Sequence, residues 1–182
     1  MELGCWSLEL PNQGLEVHGF RAHKMSLEND EFMRAAIALA EDGLRNDHGG
    51  PFGCVIVRNG AIVARGNNRV TSTNDPTAHA EITAIREACK ALNTFQLTDC
   101  ELYTSCEPCP MCLSAIYWAR IPVVYYGNTR ADAARIGFDD DFIYRQIPLP
   151  PGERTLKMIP LLRAEAGHAF AEWHAKDDKV RY

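Results

Sequence analysis

Thr77-Ala78-His79-Ala80-Glu81 and Cys106-Glu107-Pro108-Cys109-Pro110-Met111-Cys112 are the two stretches from which this 182-residue chain is best read. Each places metal-binding side chains at the start of a helical pattern. Over residues 78–92, Ala80, Ala84, Ile85 and Ala88 recur on one face, so His79 opens a helix. Residues 111–119 are helical again, and Pro110 suits a first turn, where its missing N–H costs nothing. Cys109 and Cys112 stand three apart at that start and can converge on one ion. Helix N-termini carry unpaired N–H groups and partial positive charge, which stabilise thiolates. His79, Cys109 and Cys112 thus supply three ligands, the number a catalytic zinc uses when it keeps one position open for water.

The flanking sequence supplies a scaffold. Residues 26–47 carry Phe32, Ala36, Ile37, Ala40 and Leu44 at helical spacing, with Asp30 and Glu31 expected in the first turn. His48-Gly49-Gly50-Pro51 breaks that helix. Residues 54–57 and 62–64 are rich in β-branched residues and flank Asn59-Gly60, a strong hairpin signal. Residues 67–77 are polar, contain Asp75-Pro76 and are expected to be a loop. Leu102-Tyr103-Thr104 and residues 123–126 are further strands. Short helical turns are expected over 132–136 and 139–144, and 148–152 is a proline-rich connection. A last strand or extended piece near 156–162 precedes a helix with Phe170 and Trp173 and a charged tail. This order predicts an α/β sandwich, a mixed sheet with helices on both faces. Residues 1–25 show no period and are expected to be a flexible or accessory arm, with 26–182 as a single domain.

Bulk properties narrow the function. The hydrophobic content of 46% suits a globular domain with a real core, and no apolar run reaches the roughly 20 residues that span a bilayer. The N-terminus lacks a basic region followed by an apolar stretch, so a cytoplasmic location is expected. A net charge of −5 suits a small neutral ligand better than a polynucleotide, whose phosphates call for basic surface. Of the seven cysteines, three cluster at 106–112, as metal ligands do. Cys5, Cys54, Cys89 and Cys100 are scattered and are expected to be small buried hydrophobes.

Together the two stretches spell H-x-E and P-C-x-x-C, a signature of zinc deaminases. Zinc lowers the pKa of a bound water to about 7. Glu81, two residues from His79, is the carboxylate expected to take that water's proton and pass it to a leaving amine. The competing reading is a structural, non-catalytic zinc module in which Cys106 closes a Cys₃His site.

The chain resembles the cytidine deaminase-like superfamily and, within it, the bacterial guanine deaminases. The resemblance covers about 29–182. It rests on Gly49-Gly50-Pro51-Phe52-Gly53, on the run from Asn74 to Glu81, on Tyr103 to Cys112, and on Ala115-Ile116-Tyr117-Trp118-Ala119-Arg120. Gly137-Phe138-Asp139-Asp140, Phe142-Ile143-Tyr144 and the terminal tyrosine add to it. It implies a three-layer α/β/α fold with a five-stranded mixed sheet, one zinc per subunit, and hydrolysis of guanine to xanthine and ammonia. It also implies a homodimer in which a segment of about 155–182 swaps onto the partner. By position, Asn68 would hydrogen-bond the purine, Phe52, His79 and Trp118 would line its pocket, and Asp140 would contact the base. Tyr182 would arrive from the other subunit. From the residues alone, Asn68 could simply favour a turn, Phe52 and Trp118 could be core aromatics, and Asp139-Asp140-Asp141 could be a solvated helix start. Alternative activities are those of a tRNA adenosine deaminase or of an enzyme acting on cytosine, cytidine or an aminotriazine such as ammeline.

Overall fold

A computed structural model describes residues 22–181; the first 21 residues of the expected arm and Tyr182 lie outside them. The first helix, α1, spans Ala22–Arg45 and so begins four residues before the sequence pattern does. Ala, Lys and Met favour helix, but propensity leaves no 3.6-residue signature to read. Asp30 and Glu31 therefore lie inside the helix rather than in its first turn, and Asp30 pairs with Arg34 at 3.1 Å. The buried stripe also differs from the expected one. Ala36 and Ala40 are buried, with Phe32, Met33 and Leu39 packed beside them, whereas Ile37 and Leu44 face solvent.

The hairpin forms as expected. Strands β1 (Gly53–Arg58) and β2 (Ala61–Asn67) pair antiparallel. Asn59 and Gly60 both take positive φ (53° and 73°), the requirement of the tight turn that matches strand twist. A register shift between Ile56 and Val57 adds a bulge. After the short helix α2 (Val70–Thr73), which replaces part of the expected loop, helix α3 covers Ala80–Leu92. Strand β3 (Cys100–Cys106) lies antiparallel to β1. Helix α4 (Pro110–Trp118) crosses over to strand β4 (Val123–Asn128), which runs parallel to β3. The sheet order is β2-β1-β3-β4.

Alternation along β1 separates two cores. Val55 and Val57 join Tyr103 against α1 on one face. Cys54 and Ile56 join Ala64 and Leu102 against Ala80, Ala84 and Ala88 of α3 and Ile116 of α4 on the other. The result is the expected three-layer α/β/α arrangement with a mixed sheet. It has four strands among the described residues, not five. Residues 156–162, the expected fifth strand, are irregular, and Leu156, Ile159 and Leu161 are 70%, 80% and 80% exposed. Pro160 interrupts the run and can donate no ladder hydrogen bond. Helices α5 (Arg130–Arg135) and α6 (Asp141–Gln146) fall close to the expected turns, and α7 (Arg163–Ala175) carries Phe170 and Trp173.

Two glycines set how closely the layers approach. A Cβ on Gly53 would lie 2.2 Å from the Ala36 carbonyl oxygen of α1. One on Gly66 would lie 2.3 Å from the Ala80 carbonyl oxygen and 2.7 Å from the Ala84 nitrogen of α3. Backbone cannot swing aside as a side chain can, so Gly66→Ala must push α3 off the sheet. We expect a loss of about 1–3 kcal/mol in urea-monitored unfolding, the range for overpacked interiors; an unchanged midpoint would contradict this packing.

Candidate active site

The close approach at Gly66 aims the start of α3 at the start of α4. His79 is the residue just before α3, with φ −70° and ψ 160°. Cys109 holds the same place before α4, with φ −65° and ψ 168°. Each carbonyl accepts the first helical hydrogen bond, from Thr83 and Leu113 respectively. Two helix N-termini therefore face one another, each presenting a metal-binding side chain. Cys112, one turn into α4, completes the group and is fully buried.

His79 Nδ1 lies 3.5 Å from the Sγ atoms of both Cys109 and Cys112. The three ligand atoms all fall within 4.8 Å of one another. A tetrahedral zinc with ordinary bond lengths separates a nitrogen and a sulfur ligand by about 3.6 Å. The donor set and its spacing thus fit zinc. Cys106 stands apart: it is buried, its thiol faces the Thr129 carbonyl oxygen at 3.7 Å, and it is not part of the triad. Among the described residues the group has three protein ligands rather than four, the arrangement of a catalytic centre.

Charge in the site is tightly coupled. Hydrogen bonding from Cys112 and from His79 brings the Cys109 thiol down to about 4 despite burial. The Cys112 thiol is held far above its ordinary value by its bond to Cys109, by burial and by Glu81. The pair shares one proton, which a bound cation would displace. The bond to Cys109 raises His79 above the ordinary imidazole value.

Glu81 sits in the first turn of α3 and is 6% exposed. Thr104 of β3 donates to its Oε1 at 3.3 Å, and Cys112 Sγ lies 3.4 Å from its Oε2. Burial raises it above the usual carboxylate range. A carboxylate poised to hold a proton is what a general acid–base needs.

These groups open onto a cavity of about 540 Å³, which Phe52, Asn68, His79, Glu81, Cys109 and Asp140 all line. Asn68 is 4% exposed, and its Oδ1 accepts from the Gly50 and Val70 backbone nitrogens, both at 3.2 Å. That leaves its amide NH₂ end for the cavity. Phe52 meets Phe138 edge-to-face, with ring centroids 4.9 Å apart. Asp140 precedes α6, and burial raises its carboxyl above the usual range, with the Cys109 charge acting in the same direction.

Trp118 is a different matter. It ends α4, is 65% exposed and does not line this cavity. The helix that carries it points Cys112 inward at one end and delivers Trp118 to the surface at the other. Tyr182 lies outside the described residues. Sequence reading also passed over part of the lining. Phe138, Arg130 and Glu107 lie on it, and Glu107 anchors the start of α5 by accepting the Arg130 N–H at 2.9 Å. Phe138 could have been picked out as a large apolar residue beside Gly137, whose φ of 93° marks a turn.

The profile of the cytidine and deoxycytidylate deaminase zinc-binding region matches residues 26–128. The chain belongs to this family. Guanine deaminase of Bacillus subtilis (strain 168) is 52% identical over 156 residues, 86% of this chain and 100% of its own length. The X-ray structure of the Bacillus subtilis guanine deaminase superposes with a TM-score of 0.82 and 53% identity, covering 84% of this chain and 98% of that one. A guanine deaminase structure from Nitrosomonas europaea gives a TM-score of 0.57 at 34% identity, over 60% of this chain and 63% of that one. The tRNA-specific adenosine deaminase of Agrobacterium fabrum is 45% identical over 100 residues, 55% of this chain and 65% of its own length. Members of this deaminase family are hydrolytic enzymes, and the chain is one, with a zinc-binding domain in which His79, Cys109 and Cys112 form the candidate metal site.

Elemental analysis checks the ligand set. Cys112→Ser should purify with less than about a tenth of the zinc of the parent, whereas Cys106→Ser should keep nearly all of it, since removing one of three ligands costs far more than altering a neighbour. Equal zinc loss in both variants would reinstate a four-ligand structural site.

Proposed function

We propose that the chain hydrolyses guanine to xanthine and ammonia, as the name of its full-length Bacillus subtilis relative suggests. The observation that carries the chemistry is the buried Glu81 carboxylate beside the three-ligand triad on an open cavity. Zinc held by His79, Cys109 and Cys112 supplies a water acidified to near neutrality. Glu81 takes a proton from the attacking water and later delivers it to the departing amino group. Its burial favours the protonated form needed for that second step. Thr104 keeps the carboxylate aimed by donating to the oxygen that does not face Cys112.

The substrate is placed by the lining. The Asn68 NH₂ donates to an acceptor on the purine edge, Phe52 and the His79 ring give flat apolar walls, and Asp140 accepts from ring or exocyclic N–H groups. A site built on hydrogen bonds rejects analogues that leave its buried polar groups unpaired. A tRNA substrate is the lesser reading. Tyr126 and Trp118 are exposed, yet the chain has a net charge of −5, which opposes a polyanion.

The C-terminal segment supports a swapped homodimer. Helix α7 buries none of its residues within the protomer, and Phe170 is 82% exposed. Apolar residues on a helix with no buried face mark an association surface. Residues of about 155–182 thus cross to a second copy, bringing Tyr182 to that copy's cavity and covering exposed aromatics such as Trp118. The family chemistry, and the lack of any described helix long and apolar enough to cross a membrane, suit a cytoplasmic enzyme.

Ammonia release settles the substrate. Glu81→Gln should keep its zinc and lose roughly a thousandfold in kcat on guanine, in line with a lost general acid–base. Wild-type protein active on a tRNA anticodon stem but not on guanine would overturn the assignment. A second assay addresses the tail. Deleting residues 179–182 should cut kcat/KM on guanine at least about tenfold, the cost of one good hydrogen bond to substrate; unchanged kcat/KM would remove Tyr182 from the site.

A further inference from the structure

His48 has no role in the sequence reading beyond breaking a helix. The structure gives it two sets of contacts behind the cavity wall. Its carbonyl oxygen accepts from Ser72 N at 3.2 Å, Ser72 Oγ at 2.7 Å and Thr71 Oγ1 at 3.2 Å. Its Nδ1 lies 3.0 Å from Asn67 Nδ2. The Asn67 carboxamide can be oriented from its other end. Arg69 Nε is a donor and lies 3.1 Å from Oδ1, so Oδ1 is the oxygen and Nδ2 faces His48. An amide nitrogen only donates, so His48 Nδ1 accepts and the ring proton sits on Nε2.

Asn67 has little room to move. It is 6% exposed, and a Cβ on Gly43 of α1 would lie 2.7 Å from its Nδ2. Next to it in the chain stands Asn68, whose Oδ1 is held by Gly50 N and Val70 N. Gly50 is two residues beyond His48. Val70 opens α2, whose next two residues bond the His48 carbonyl. Both donors that orient Asn68 therefore belong to segments tied to His48. A Cβ on Gly49 would lie 2.2 Å from Asn68 Oδ1, so the glycine there lets this loop run directly beside the carboxamide.

We propose that His48 is a positioning residue for substrate recognition: its Nδ1 lone pair and its carbonyl oxygen lock Asn67, the start of α2 and the Gly49-Gly50 loop together, and so fix the Asn68 carboxamide toward the purine. The inference rests on the reading of Asn68 as a substrate donor. His48 touches neither substrate nor zinc ligand. Its loss acts on binding more than on the chemical step.

A double-mutant cycle on guanine tests this, with zinc content recorded for each protein. His48→Leu should raise KM about tenfold, leave kcat within about threefold and keep full zinc, because a misaligned donor weakens uniform binding. His48→Asn, whose Oδ1 can accept where Nδ1 did, should return KM to within about threefold of wild type. In an Asn68→Ala background, His48→Leu should add less than about twofold, as expected for residues acting through one another. Ser72→Ala removes one bond at an exposed position and serves if His48→Leu does not fold. It should raise KM about threefold in the wild-type background and not in Asn68→Ala. Unchanged KM in Ser72→Ala or His48→Leu, equal losses in His48→Leu and His48→Asn, or additive effects in the Asn68→Ala background would each overturn the proposal. Wild-type turnover of guanine and a raised KM in Asn68→Ala alone test the underlying reading separately.

Discussion

Two helix N-termini meeting over one point is the constraint on which this molecule is built. Each brings a ligand at its cap position and the positive end of a helix dipole. Two thiolates and a carboxylate packed into a largely buried pocket would repel one another without compensating charge. The dipoles supply part of that charge, and a metal held by His79, Cys109 and Cys112 would supply the rest. The meeting depends on distance, because α3 must lie almost on the sheet to reach α4. Gly66 under Ala80 permits that approach, as Gly53 under Ala36 permits the approach of α1 on the other face. Glycine at these places is a matter of contact between backbones rather than of turn geometry.

The strand ends complete the arrangement. Thr104 near the end of β3 reaches Glu81, and Ser105 accepts the Gly53 N–H at 3.0 Å, joining the start of β1 to the same corner. Glu81 is thus bonded to a different secondary-structure element from the one that carries it. A carboxylate fixed from two sides loses little freedom when it changes protonation state, and a proton carrier depends on that fixity.

Local physics made most of this legible in the sequence. Helix starts, the Asn59-Gly60 turn and the proline after Cys109 are short-range signals, and they put His79, Cys109 and Cys112 at helix starts, where the structure has them, whereas a helix start leaves the direction of the Glu81 side chain open. Longer-range placement was harder to read. Whether α4 delivers Trp118 to the cavity or to the surface depends on which way a nine-residue helix runs from its buried start. Ile37 and Leu44 keep helical spacing with Ala36 and Ala40, yet the sheet takes the smaller residues because close approach is worth more there than side-chain volume. The expected fifth strand failed for a related reason. Residues 156–162 have strand-like composition, but Pro160 interrupts them, and they pair with neither open edge of the described sheet, β2 or β4.

The cavity wall shows what sequence patterns miss altogether. Asn67 and Asn68 are adjacent, equally polar and both buried, yet they do opposite work. Asn68 spends its oxygen on backbone and keeps its NH₂ for the cavity, whereas Asn67 spends both ends on neighbours, His48 and Arg69. A buried carboxamide with both ends paired is scaffold; one with a donor left over has the donor that the proposed recognition role of Asn68 requires. The two tasks need each other. A free donor discriminates between substrates only while it is held still, and a loop of two glycines cannot hold it by its own stiffness. The rigidity has to come from the second layer, where an imidazole accepts one hydrogen bond and its carbonyl oxygen accepts three. Selectivity for a purine edge would therefore be set as much by residues that never meet the substrate as by those that do.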